Sequence, residues 1–202
     1  MQLLHELSFQ YDSYFRTMQM NKKTIAILGI IVAAALTRLI PHPMNFAPLG
    51  AMALFGSAYL GRKGLGLLVT MIAWMISDLI LNNIVYPSSG FTFFTDGAVF
   101  IYGSIALIYL LGTKLLSKVT LSRMLGGSLA ASVIFFAVSN FGVWMGGLMY
   151  PMTSEGLIAC YAAAMPFFQN TLAGDLIYSI ALFMLFEKIF KSQLISKKVE
   201  SN

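Results

Sequence analysis

Few side chains in this sequence can do chemistry, and their spacing groups them. Asp78 and Asn82 stand four residues apart, as do Asn140 and Trp144, and Thr171, Asp175 and Tyr178 share one stripe, so each set projects from one face of a helix. Arg38, Asn45, Gln169 and Asn170 complete the group. A guanidinium, two carboxylates and several carboxamides can pair charge and direct hydrogen bonds to a small polar molecule, with Trp144 as an aromatic wall. No nucleophile elbow, Walker sequence, HExxH or Ser/His/Asp arrangement occurs, so the sequence predicts no enzyme, no ATP hydrolysis and no cofactor. His5 and His42 do not stand at metal-ligand spacing, and the single cysteine, Cys160, excludes a disulfide framework and reads as a small apolar residue, with a thiolate contacting a ligand or its metal as the functional alternative.

The elements that must position these groups follow from composition. The chain has 202 residues, 58% hydrophobic and 10% charged, where a soluble domain carries roughly 25% charged residues. So few charges cannot cover a globule in water, and the implied solvent is a lipid bilayer. The net charge of +5 is spread in short groups between apolar runs rather than gathered on a polar face, which argues against nucleic acid.

A membrane-crossing helix needs about 20 apolar residues. Six stretches come close: 24–40, 46–60, 64–84, 97–116, 124–149 and 167–190. The sequence therefore predicts an all-α, six-transmembrane-helix bundle over 23–190, with tails at 1–22 and 191–202. The second stretch is short and rich in Gly, Ala and Ser, which suits a helix packed tightly against neighbours or a re-entrant one. Between the fifth and sixth spans, Thr153 can cap a short helix through 157–164, and Pro166 can open the sixth span as its first residue. The first 20 residues do not read as a cleaved signal, because the charged residues follow the polar stretch instead of leading it.

Lys and Arg accumulate in short cytoplasmic loops. Arg16, Lys22 and Lys23 precede the first span; Arg62 and Lys63 join the second and third; Lys114, Lys118 and Arg123 join the fourth and fifth; Lys188, Lys191, Lys197 and Lys198 end the sixth. This places 12 of the 13 basic residues on one side, with both termini cytoplasmic. The exception is Arg38. It falls in the outer half with Asn45, Asp78, Asn82, Asn140, Trp144, Gln169, Asn170 and Asp175, and that shared depth predicts one outward-facing polar site. For any single residue a structural reading stands beside the functional one: Arg38 with Asp78 or Asp175 can be an ion pair that orients helices, and the amides can bond between helices. The aromatic loop from Tyr86 to Asp96 reads either as an interfacial belt or as a lid.

The stretches Asn45-Phe-Ala-Pro-Leu-Gly50, Ser77-Asp78, Ser139-Asn140-Phe-Gly-Val-Trp144 and Pro166-Phe-Phe-Gln-Asn170-Thr-Leu-Ala-Gly174-Asp175 resemble an uncharacterised family of small bacterial membrane proteins. That family in turn resembles the substrate-binding S components of energy-coupling-factor (ECF) vitamin transporters. The resemblance implies a bacterial inner-membrane protein that captures a small, vitamin-like molecule from outside for uptake, with an ECF coupling subunit and its ATPases as partners. Gly29, Ala33 and Thr37 form the nearest equivalent of the small-residue face by which S components dock on that subunit. Two other functions stay open on the residues alone. One is a proton-coupled carrier or channel using Asp78 and Asp175, although no inverted repeat is evident; the other is a non-transporting structural membrane protein.

Overall fold

The computed structural model describes residues 22–60, 64–87 and 90–200, with side chains for 23–190 of these. The N-terminal tail to residue 21, Arg62, Lys63, and the side chains of Lys22, Lys191, Lys197 and Lys198 lie outside the described residues. Six helices and no strand occur among the described residues. They are α1 (Lys22–Leu36), extended by a 3-10 turn (Thr37–Leu39); α2 (Leu49–Leu60); α3 (Leu65–Ile80), continued by a π-helical turn (Leu81–Val85); α4 (Ala98–Leu115); α5 (Leu121–Met145); and α6 (Ser154–Glu200).

The helix boundaries have local causes. Pro41 and Pro43 end the first segment, since a proline lacks the N–H that would continue the ladder and restricts the residue before it. Thr120 caps α5 by accepting a hydrogen bond from the Arg123 N–H at 3.3 Å, and Thr153 caps α6 by accepting one from the Gly156 N–H at 3.2 Å. The fifth helix stops at Met145, short of the expected 149, where Gly146 and Gly147 follow and Gly147 takes φ 64°.

One expectation is corrected. Instead of a short helix followed by a new span opening at Pro166, α6 runs through the proline without a break. A proline inside a helix removes one intrahelical bond and bends the helix more readily than it ends it when neighbours hold both halves. Here α5 does so. Tyr161 Oη donates to the Ala137 carbonyl at 2.6 Å on one side of Pro166, and Ser128 and Ser179 share a 2.7 Å hydrogen bond on the other.

Packing places α2 at the centre. It touches all five other helices, which form a ring in the order α1, α3, α4, α5, α6 and back to α1. Every residue from Leu49 to Ser57 is buried. Glycine allows the closest approach: a Cβ on Gly66 of α3 would collide with the Gly56 carbonyl of α2, so the two backbones touch directly. At the end of α2 near Leu60, Phe55 packs edge-on against Phe183 and Phe186 at 5.4 and 5.6 Å between centroids.

The outside of the ring is apolar. Residues 65–85, α4 and α5 are each long and apolar enough to cross a membrane, yet only 33%, 28% and 28% of their most apolar stretches are buried within the protein. Ile72, Ile76, Leu107, Leu110, Leu129 and Val133 all face outward, as side chains do when the surrounding solvent is hydrocarbon.

Length then creates space. Twelve residues of α2 make about 18 Å of helix, while the 18 of α4 and 25 of α5 make about 27 and 37 Å. A short axle inside longer staves leaves a hollow at one end, above Leu49.

Candidate ligand-binding cavity

The hollow over the N-terminus of α2 has two adjoining lobes of about 420 and 330 Å3. Asn45, Ile101, Phe135 and Thr171 line both. The first lobe is bounded by Arg38, Trp74, Tyr86 and Asp175, the second by Asp96, Ser139 and Asn140.

Arg38, on the 3-10 turn after α1, is held by one face of α3. Its Nη2 lies 2.7 Å from Asp78 Oδ1, and its Nη1 donates to Ser77 Oγ. The guanidinium carbon also sits 3.5 Å from the centroid of the Trp74 ring. Positions 74, 77 and 78 share a helical face, so one side of α3 supplies the stacking surface, a hydroxyl and the counter-ion together. Arg38 and Asp78 are each 12% exposed, so the pair is largely withdrawn from solvent and each member depends on the other.

Asp175 of α6 is 1% exposed and is likewise occupied. Its Oδ1 accepts hydrogen bonds from the Gly50 and Ala51 N–H groups at 2.8 and 3.3 Å, and its Oδ2 accepts one from Ser132 Oγ at 2.7 Å. Pro48, just before α2, offers no capping oxygen in its side chain, and the first-turn N–H groups need acceptors. Asp175 supplies them from another helix and places a negative group on the positive end of the α2 dipole. A Cβ on Gly50 would lie 2.6 Å from that carboxylate, so only glycine admits it.

Asn45 takes φ 63°, a left-handed conformation that asparagine adopts more readily than most residues, and so turns the segment between α1 and α2 over the cavity. Asn140 spends an N–H on the Phe136 carbonyl at 2.8 Å. Cys160 is buried and donates through sulfur to the Asn140 carbonyl at 3.4 Å.

The other expected residues brace the loops over the mouth. Asn82 donates to Thr95 Oγ1 at 3.0 Å, Asn170 to the Met44 carbonyl at 2.9 Å, and Trp144 Nε1 to the Pro151 and Thr153 carbonyls at 3.1 and 3.2 Å. Gln169 is exposed on α6 and lines neither lobe. Four expected residues, Arg38, Asn45, Asn140 and Asp175, thus stand on the cavity wall, and Asp78 stands behind Arg38.

Several wall residues were not anticipated. Trp74 lies one helical turn before an expected acid, Asp78, so helical spacing held the signal, as it did for Thr171 in the stripe with Asp175. His42, Tyr86 and Asp96 come from connecting segments, where no periodicity exists to place them. No group of three or more His, Cys, Asp or Glu side chains able to hold a metal ion occurs among the described residues. Arg38, Asp78 and Asp175 are matched within the protein, so the wall offers hydroxyl, amide and aromatic groups together with the Asp96 carboxylate.

No curated protein and no solved structure matches the chain. One family, described as "Family of unknown function (DUF6580)", matches residues 18–198. The match covers most of the sequence, including all six helices but for the last two residues of α6, and the chain belongs to that family.

Proposed function

We propose that this chain is an integral membrane substrate-binding protein of six spans, similar to an ECF S component. In this reading it sits in the bacterial inner membrane with both termini cytoplasmic and captures a small, vitamin-like molecule from the outer side for uptake. The observation that carries the reading is the cavity itself: five helices surround a shorter central one, and the hollow left at one end collects polar groups from α1, α3, α5 and α6. The basic residues Lys23, Lys114, Arg123 and Lys188 lie toward the opposite ends of their helices, so the positive-inside rule turns the cavity outward.

Uptake against a gradient needs an energy source, and no nucleotide-binding motif is present in the sequence. A coupling subunit with ATPases supplies it. Gly29 and Ala33 are exposed on α1, and a Cβ on Gly29 would meet nothing within 4 Å, which leaves a flat face for close helix docking.

Native mass spectrometry of the detergent-purified protein tests the binding step. Wild type should retain a small molecule that is lost in Asn140→Leu and Thr171→Val, both of which remove a polar group from the wall. Absence of any retained molecule from every expression medium, with both variants folding normally, would sink the reading.

A further inference from the structure

The ring is unevenly closed around the cavity. Between the start of α4 and the end of α5, the second lobe is bounded by Asp96, Gly97, Gly142 and Gly146, and the same four residues line an open groove of about 930 Å3 on the outside of the ring. Three of the four have no side chain. A Cβ on Gly97 would meet nothing within 4 Å, and one on Gly146 would meet only the Val143 and Gly142 carbonyls of its own helix end, at 3.4 and 3.6 Å. Only the Gly142 position is filled, by the Phe100 ring.

The groove beyond this wall is apolar, with Ile72 and Met75 from α3, Val99 from α4 and Met145 from α5 along it. Val99 is 81% exposed and Ile72 43%, so in a bilayer both face acyl chains. A polar cavity and a lipid-facing groove therefore meet across bare backbone.

We propose that this gap is a lateral window and that the ligand is an amphiphile. Its polar head occupies the lobe bounded by Ser139, Asn140 and Thr171, and its apolar tail passes between Gly97 and Gly146 into the groove. The head carries no negative charge. Arg38 is already neutralised by Asp78, and the N-terminus of α2 by Asp175, while the exposed Asp96 carboxylate at the window repels an anion. The inference rests on the proposed function in one respect, that the cavity accepts a ligand, and it narrows the ligand to a molecule with an apolar chain.

Cysteine labelling in lipid nanodiscs tests it. Ser139→Cys, in a Cys160→Ser background, places one thiol in the second lobe. N-dodecylmaleimide, an uncharged head on an apolar chain, probes access from the bilayer, and the membrane-impermeant cation 2-(trimethylammonium)ethyl methanethiosulfonate probes access from water. The long-chain reagent should label position 139, and Gly146→Phe should slow it at least tenfold without slowing the water-soluble one. Gly126→Ala, whose Cβ meets nothing within 4 Å and which lines neither lobe nor groove, should leave both rates unchanged. Met75→Trp narrows the groove away from the cavity and should also slow the long-chain reagent, which keeps the test decisive if Gly146→Phe does not fold. If the water-soluble reagent reacts while the long-chain one does not, or reacts at a rate that neither bulky substitution changes, the window is overturned and the proposed function stands. If neither reagent reacts, the accessible cavity is overturned and both fall.

Discussion

The Asp175 carboxylate on α6 accepts a hydrogen bond from the Gly50 N–H at 2.8 Å, closing the N-terminus of the central helix from 125 positions away in the chain. The contact joins the floor of the cavity to its wall, so the shape of the site and the stability of the bundle depend on one pair. Substituting Asp175→Leu leaves two first-turn N–H groups of α2 without their acceptor, while the Ser132 hydroxyl can turn to the Ser128 carbonyl 3.1 Å away. Each buried group left unmatched costs about 1–3 kcal/mol. Asp175→Asn keeps an oxygen for the α2 N–H groups and loses only the charge on the helix dipole, about 0.3–1 kcal/mol. Gly50→Ala drives a methyl group into the carboxylate and should cost about 1–3 kcal/mol by overpacking. Thermal unfolding in detergent should rank the variants wild type, Asp175→Asn, then Gly50→Ala and Asp175→Leu. An Asp175→Asn variant as unstable as Asp175→Leu would show that the charge, rather than the cap, matters.

Arg38 and Asp78 allow a cleaner separation of structure from binding. Removing either partner leaves a charge stranded in a poorly hydrated setting, a loss of about 3–5 kcal/mol, whereas replacing both by apolar residues is often neutral. The double variant Arg38→Met/Asp78→Leu should therefore unfold within a few degrees of wild type, while each single variant falls well below it. Arg38→Lys should be intermediate, since an ammonium keeps the charge but loses the planar stack on Trp74 and the fixed fork of donors. If the folded double variant still retains the ligand by mass spectrometry, Arg38 acts only in positioning α1 against α3.

The contact between α2 and α3 carries no side chain at its closest point, so it should tolerate little. Gly66→Ala puts a methyl group where the Gly56 carbonyl lies, and α2 cannot retreat, because it is packed on all sides, so α3 must move outward and lose contact. Unfolding should move down by about 1–3 kcal/mol. A nearby control, Gly126→Ala, adds its Cβ to open space and should leave stability unchanged or slightly raised by helix propensity. Equal effects at the two positions would remove the close approach as the reason for glycine at 66.

Much of this architecture is legible along the chain. Apolar runs bounded by Pro, Gly and capping residues predict the helices to within a few residues in most cases, and the scarcity of charge suggests a pair for Arg38 with either Asp78 or Asp175, between which the fold chooses Asp78. What a linear pattern cannot carry is partnership across the fold. The small residues of α2 announce tight packing, but its place at the centre of a ring depends on which neighbours the other five helices choose. Asp175 reads as a surplus acid until its partners, the N–H groups at Gly50 and Ala51, are known. Asn82, Trp144 and Asn170 look the same in sequence as Asn140, yet they reach for loop carbonyls and hydroxyls rather than the cavity, because the paths of 40–48, 86–97 and 146–153 have no periodicity to reveal them. Pro166 misleads for a related reason, since whether a proline ends a helix is decided by what packs on both sides of it.

Asn83 bears on whether the aromatic loop over the mouth is a fixed belt or a moving lid. Its carboxamide binds Thr92 in both directions, Nδ2 donating to the Thr92 carbonyl at 2.8 Å and Oδ1 accepting from the Thr92 N–H at 2.8 Å. It also donates to the Leu79 carbonyl of its own helix at 2.9 Å, which fixes the rotamer and so the loop. Asn82, its neighbour in the π-helical turn Leu81–Val85, reaches the same loop at Thr95. Asn83→Leu should release the segment around Thr92, raising amide hydrogen exchange there at least tenfold with no change in the exchange of α4 or α5. If the loop is a lid over the cavity, the same substitution should speed both ligand release and labelling from water at position 139. If it is a belt, loop exchange should rise while ligand release and water-side labelling keep their wild-type rates.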